Sequence, residues 1–231
     1  MKKIYNWWLP ENDKHLEDKL KEQSVVNRGY DYQTQQRDYA ILLNKKYKRR
    51  NRLAIDIGAH VGLWAIDLSN NFDMVQTFEP VTEFRNCLFK NIEENKIENI
   101  VVNEVALGNE NKEVNMAIDE TNTGATHIGN KHNNYIVKMK KLDDYNFKLV
   151  DFIKIDTEGY ELQVLKGAKQ TLIDYKPMIV VEMKEKNLAE FNVSPGDIDA
   201  YLRGLGYLLD NVVNSEYIYV HKDIPQREYK I

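Results

Sequence analysis

The sequence predicts an α/β fold: a mostly parallel sheet with helices on both faces, a closing antiparallel strand, and an N-terminal helical cap. Three observations carry that expectation. From Leu53 onward, short apolar runs end in acidic residues or glycine, and amphipathic stretches follow them, as strand–helix–strand units do. The runs are apolar nearly throughout, which suits strands covered on both faces. Residues 1 to 50 lack the alternation and are polar, rich in Tyr, Gln and Lys.

Taken in order, residues 1–50 form the cap, with helices expected over Asn12–Gln23 and Thr34–Tyr47, and residues 51–231 form the sheet-bearing domain. Five runs are read as buried strands: Leu53–Ile57, Met74–Phe78, Ile100–Val102, Phe152–Ile155 and Met178–Val181. Helices are expected over Leu63–Ser69, Thr82–Asn95, Leu162–Asp174 and Ser194–Leu205, the last opened by a Ser cap with Pro195 at the first helical position. Val114–Ile118 and Tyr135–Met139 alternate weakly around a Gly/Thr/His/Asn-rich segment and read as an inserted hairpin or lid. Tyr207–Leu209 and Tyr217–Val220 read as a closing antiparallel pair.

At 231 residues and 42% hydrophobic, the chain can bury one sizeable core, so one site is sought. The lone Cys87 excludes an intramolecular disulfide framework and an all-cysteine metal cage, and fits a reducing, cytoplasmic setting. Too few apolar residues precede Pro10 for a signal segment or a membrane span, so no membrane partner is expected. A net charge of −4 disfavours nucleic acid. The one basic run, Lys45 to Arg52, reads as a solvated helix end, with attraction of a polyanion as the alternative.

The most informative stretch is Asp56-Ile57-Gly58-Ala59-His60-Val61-Gly62, which leaves a strand and enters a helix. Glycines there let the backbone approach a ligand closely, and the helix start offers unpaired N–H groups; tight strand–helix packing selects glycine too. Some twenty residues on, Glu79 ends the second strand in Phe78-Glu79-Pro80. An acidic residue at that place accepts hydrogen bonds from both ribose hydroxyls of an adenosine-containing ligand. Pro80 then ends the strand and fixes where Glu79 points. A pyrophosphate site favours G-x-G-x-x-G, and here His60 fills the second glycine's place. S-adenosylmethionine has no phosphate, tolerates that side chain, and offers an ammonium group to Asp56. S-adenosylmethionine is therefore the expected ligand.

The chain resembles the FkbM-type methyltransferases through that turn, Phe78-Glu79-Pro80, Val105-Ala106-Leu107-Gly108, Leu142-Asp143-Asp144, Phe152 to Glu161, and Lys176-Pro177 before Val181-Glu182. The block Lys154-Ile155-Asp156-Thr157-Glu158-Gly159-Tyr160-Glu161 is its most specific part. The resemblance spans about Leu53 to Glu182. It implies a Rossmann-like class I methyltransferase fold and, commonly, O-methylation of sugars, polyketide-type metabolites or related small molecules. The family usually carries Asn where this chain has His60.

Methyl transfer from a sulfonium is an in-line displacement, so the protein must hold the acceptor oxygen and take its proton as charge develops. Asp156, at the carboxyl end of the fourth strand, is the first candidate for that proton and is also counted among the cofactor contacts, with Glu158 and Glu182 in reserve as the base. Lys154 is either an ion-pair partner holding Asp156 or a direct substrate contact. Glu182 with Asp156 has the donors for a divalent cation, but no metal is expected. Ala106 and Leu107 are candidates to flank the adenine, Thr123, Thr126 and His127 to line a substrate loop. Glu161 is read as solvent-facing or helix-capping, Lys169 as solvated, and Trp7, Trp8, Tyr30, Tyr32 and Tyr39 as packing the cap rather than lining a pocket. The leading expectation is an O-methyltransferase for a small-molecule or glycan acceptor. Alternatives are an RNA ribose 2′-O-methyltransferase, suggested by Lys154, Asp156, Lys184 and Glu182, and a non-catalytic S-adenosylmethionine-binding module. The acceptor and the oligomeric state are left open.

Overall fold

The computed structural model describes residues 1–24, 33–47, 50–129 and 135–225. The N-terminal segment opens with a hairpin, β1 (Lys2–Ile4) and β2 (Trp7–Leu9), followed by α1 (Lys14–Ser24) and α2 (Thr34–Lys46). The hairpin was not expected, because three-residue strands are too short to show a period. It is anchored from outside: Trp8 N donates to Asn91 Oδ1 at 2.7 Å, and Asn91 Nδ2 donates to the carbonyls of Trp8 and Val61.

The central sheet takes its strands from β3 (Leu53–Ile57), β4 (Met74–Phe78) and β5 (Ile100–Asn103), with α3 (Leu63–Ser69) and α4 (Thr82–Glu94) between them. A small second sheet interrupts the order: β6 (Ala106–Leu107), β7 (Lys112–Ala117), β8 (His127–Ile128) and β9 (Tyr135–Lys140). The expected hairpin is the antiparallel β7–β9 pair, to which the two short strands add. The chain returns through β10 (Val150–Ile155), α5 (Glu161–Gly167), α6 (Lys169–Tyr175), β11 (Met178–Glu182), α7 (Glu185–Ala189) and α8 (Pro195–Gly204). It closes with β12 (Tyr207–Val213) and β13 (Glu216–His221).

The seven strands lie in the order β12-β13-β11-β10-β3-β4-β5. The last five are parallel, and β13 runs antiparallel to both its neighbours. Alternation along the strands feeds two cores. Ile55, Ile57, Ile153, Ile155, Ile179 and Val181 meet Val164, Leu165, Leu172, Leu188, Ile198 and Leu202, whereas Ala54, Phe152, Met178 and Val180 meet Ala40, Ile41, Trp64 and Leu68 from α2 and α3. Helices therefore cover both faces, as expected.

The single helix expected over Leu162–Asp174 is two. Gly167 lies so close to a neighbouring loop that a Cβ there would sit 1.9 Å from the Gly108 carbonyl oxygen. The second helix restarts under a tertiary cap, with Asp143 accepting from the amides of Gln170 and Thr171, both at 2.9 Å. Among the described residues, no helix is long and apolar enough to cross a membrane. The order of the sheet reverses between β3 and β10, so the crevice at their carboxyl ends is where a ligand is accommodated in such a sheet.

Candidate active site

At that crevice the two strand ends touch. Gly58 has φ +81°, and a Cβ on it would lie 1.8 Å from the Asp156 carbonyl oxygen, so only glycine permits the approach. Asp156 N donates to Ile57 O at 3.0 Å, and the amides of Gly58 and Ala59 donate to Phe78 O. Gly62, at φ +98°, leads into α3. Between the glycines His60 is also left-handed, at φ 51°. Its N–H donates to Glu79 Oε2 at 2.9 Å, while Val81 N donates to Glu79 Oε1 at 2.8 Å. Glu79 is thus held from both ends, and burial pushes its carboxyl up to about 7. Asp56 is also pushed up to about 7 by burial, against the pull of Lys154, and its Oδ2 is buried with no hydrogen-bond partner.

Across the crevice stands a cluster of charge. The Lys154 ammonium is fully buried, 3.4 Å from Asp156 Oδ2 and 3.2 Å from Glu216 Oε1, and lies over the Trp64 ring. Burial works against its charge, but Asp156, Glu216 and Glu182 prevail and raise its pKa. Burial would raise Asp156 too, yet the Lys154 and Lys184 ammonium groups hold it below the usual carboxylate value. Lys184 bridges Glu182 Oε2 at 2.7 Å and Glu158 Oε1 at 2.9 Å. Burial and the Asp156 charge push Glu182 up to about 9, so at neutral pH the proton of this pair sits on Glu182 and Asp156 is the carboxylate. Glu158, left-handed at φ 55°, also accepts a short hydrogen bond from Asn187, and burial raises it to about 7.

Both groups open on one cavity of about 500 Å³, in the range of small-molecule sites. Its wall includes Asp56, Gly58, Ala59, His60, Glu79, Pro80, Ala106, Leu107, Lys154, Asp156, Glu158 and Glu182. Gly62 is not part of that wall. The N-terminal segment contributes His15, Leu16 and Gln33, and the insert contributes residues 122–126 and Ile128.

The family model for the methyltransferase FkbM domain matches residues 56–209, about two thirds of the chain, running from Asp56 past Glu79 and the Lys154–Lys184 charges and ending before Glu216. The chain belongs to the FkbM methyltransferase family. This FkbM-family chain therefore carries an S-adenosylmethionine-dependent methyltransferase domain. Its fold is shared with the methyltransferase FkbM of Methylobacillus flagellatus at TM-score 0.53 and 20% identity, over 74% of this chain and 44% of that one. It thus spans less than half of that protein. The fold also recurs in the precorrin-6y C5,15-methyltransferase of Geobacter metallireducens (TM-score 0.50, 13% identity, 87% of this chain and 91% of that one). A third likeness is the ribosomal protein L11 methylase of Lactobacillus delbrueckii (0.50, 12%, 85% and 81%). No curated protein matches the chain in sequence.

Within this FkbM-family enzyme several residues stand elsewhere than their sequence suggests. Glu161 does not face solvent: it is 1% exposed, and its Oε1 gathers the amides of Thr157 and Gly159 and the Thr157 hydroxyl, fixing the loop that carries Glu158. Thr123 and Thr126 line the cavity, but His127 does not; its ring turns back to Ala125 O and to Glu190. Trp7 is buried among Leu9, Leu16, Leu20 and Val61, and neither it, Trp8 nor Tyr39 reaches the cavity; Tyr30 and Tyr32 lie outside the described residues. From the basic run, Arg52 is occupied by Asp151 in a two-toothed pair, while Lys48 and Arg49 lie outside the described residues. Sequence reasoning missed Glu216, which sits on the closing hairpin far along the chain from Lys154. The carboxylates of Asp156, Glu182 and Glu216 come within 4.8 Å of one another. That is close enough for a cation, but the Lys154 ammonium already lies against two of them.

Proposed function

We propose that the enzyme methylates a hydroxyl oxygen of a small-molecule or glycan acceptor, with Asp156 as proton acceptor. The carrying observation is an Asp156 carboxylate kept ionised between two ammonium groups, on the same cavity as Asp56 and Glu79. S-adenosylmethionine, when bound, supplies an electrophilic methyl group. The orphaned Asp56 Oδ2 fits its ammonium group, and Glu79, with each oxygen already oriented by one amide, has a further lone pair on each for a ribose hydroxyl. Gly58, Ala59 and His60 give the close backbone, Gly62 the turn into α3, Pro80 fixes Glu79, and Ala106 and Leu107 are the apolar surfaces for the adenine.

Asp156 then orients the acceptor hydroxyl and takes its proton as the new C–O bond forms. A carboxylate is a weak base for an alcohol, so its contribution lies in position. Lys154 keeps its proton and acts as a fixed positive charge that holds Asp156 and needs no divalent metal beside it. Glu182, protonated, steadies Asp156 from the other side, while Lys184 and Asn187 hold Glu158 at the rim.

The test is incubation with methyl-labelled S-adenosylmethionine and a panel of sugars, hydroxylated metabolites and amines. Label on a hydroxyl oxygen supports the reading; label on nitrogen alone overturns it. The grouping of Lys154, Asp156, Lys184 and Glu182 also suits a ribose hydroxyl in RNA, although the −4 charge opposes it. Labelling of RNA that falls steeply with salt would favour that acceptor.

A further inference from the structure

We infer that the N-terminal segment completes the cofactor site: Asp13, through Thr123 and His60, holds Glu79 in its ligand-binding position. The inference rests on Glu79 being the ribose acceptor proposed above. Asp13 and Thr123 are 0% and 2% exposed, one just before α1 and the other in the insert between β7 and β8. The Thr123 hydroxyl donates a short hydrogen bond to Asp13 Oδ2. Its one proton is thereby committed, so Thr123 Oγ1 accepts from His60 Nε2, 2.6 Å away, and His60 carries a proton on Nε2. Burial, which lowers the imidazole to about 4 against the pull of Asp13, agrees with a neutral ring.

Both ends of this string are fixed. Asp13 Oδ1 accepts from Leu16 N at 2.8 Å and so caps α1, and the amides of Lys14 and His15 donate to Thr121 O, stitching the N-terminal segment to the insert. At the other end the His60 ring stands edge-on to Phe84, 4.8 Å between centroids, and its backbone is left-handed. A non-glycine residue keeps that conformation only where its surroundings hold it. The Thr123 bond supplies the hold, and the left-handed backbone aims the His60 N–H at Glu79 Oε2. Nothing in the FkbM match, which begins at Asp56, includes Asp13. His60, Thr123 and Asp13 are therefore positioning residues, acting through Glu79 on cofactor affinity.

The experiment is calorimetric titration of S-adenosylhomocysteine into the wild type and the Thr123→Val, Thr123→Ser and Glu79→Ala variants, with thermal melts of each. Thr123→Val removes the relay and keeps the volume, and should raise Kd about three- to tenfold, the weight of one oriented hydrogen bond; Thr123→Ser should restore it. Unchanged affinity in a folded Thr123→Val protein, while Glu79→Ala binds weakly, overturns the relay. Unchanged affinity in Glu79→Ala overturns instead the ribose assignment. If the Thr123 variants do not fold, hydrogen exchange in the wild type decides. Coupling is reciprocal, so S-adenosylhomocysteine should slow exchange across residues 14–24, beyond the cavity-lining His15 and Leu16, and unchanged rates there overturn the inference.

Discussion

Cofactor affinity should fall as the solution is acidified, and the size of the effect follows from two buried carboxyls. Burial pushes the carboxyls of Asp56 and Glu79 up to about 7. A ligand ammonium and two ribose hydroxyls both favour the ionised carboxylates. For a group of pKa 7, the ionised fraction is roughly 0.9 at pH 8 and 0.1 at pH 6, so each contributes about a tenfold rise in Kd over that interval. Together they give up to about a hundredfold. The ligand's own amino group gains its proton in the same range and offsets the loss by only about two- to threefold. The assay is calorimetric titration of S-adenosylhomocysteine at pH 6, 7 and 8, in wild type and in Glu79→Gln. The amide accepts through one oxygen only and cannot ionise. The variant should therefore bind more weakly at pH 8 and show a pH dependence about tenfold smaller than that of the wild type. A flat wild-type profile, or one that strengthens towards pH 6, would refute the assignment of these carboxyls.

The unliganded protein should behave oppositely in stability. Asp56, Glu79, Glu158 and Glu216 have folded pKa values raised by burial to about 7, so the folded state binds protons more tightly than the unfolded chain and gains stability as pH falls through 7. Thermal melts should rise from pH 8 to pH 6, by on the order of 1 kcal/mol per group, partly offset by His60, whose lowered value works the other way. Asp156→Asn should lower turnover by about a hundred- to ten-thousandfold, the usual weight of a positioned base, with S-adenosylhomocysteine affinity within about threefold of wild type. A large affinity loss would make Asp156 a binding residue. Prolonged treatment with a chelator should leave turnover unchanged, because the Lys154 ammonium stands against Asp156 and Glu216; loss of activity restored by a divalent cation would contradict this. Gly58→Ala should destabilise the fold by about 3 kcal/mol or more, since its Cβ falls on a backbone oxygen that cannot step aside; a melt within a degree of wild type would refute that.

The sequence by itself determined the central sheet and the two strand ends that line the cavity. Leu53–Ile57 and Met74–Phe78 are strands over the expected residues because unbroken apolar runs between glycine, proline and acidic residues leave the chain little else to do. The first glycine turn, Glu79 and the Lys154–Asp156–Glu158 block were legible for the same reason: each is a short stretch whose chemistry is contained in neighbouring residues. Tertiary structure alone decided what depends on distant parts of the chain. It broke the helix at Ala168, where Gly167 meets Gly108 and Asp143 supplies a new cap. It buried Glu161 under its own loop, and it brought Glu216, more than sixty positions away by sequence, against Lys154. It also joined Asp13, Thr123 and His60 in one string. A buried polar side chain must find its partner wherever the fold supplies one, and nothing in its local sequence says where that partner will be.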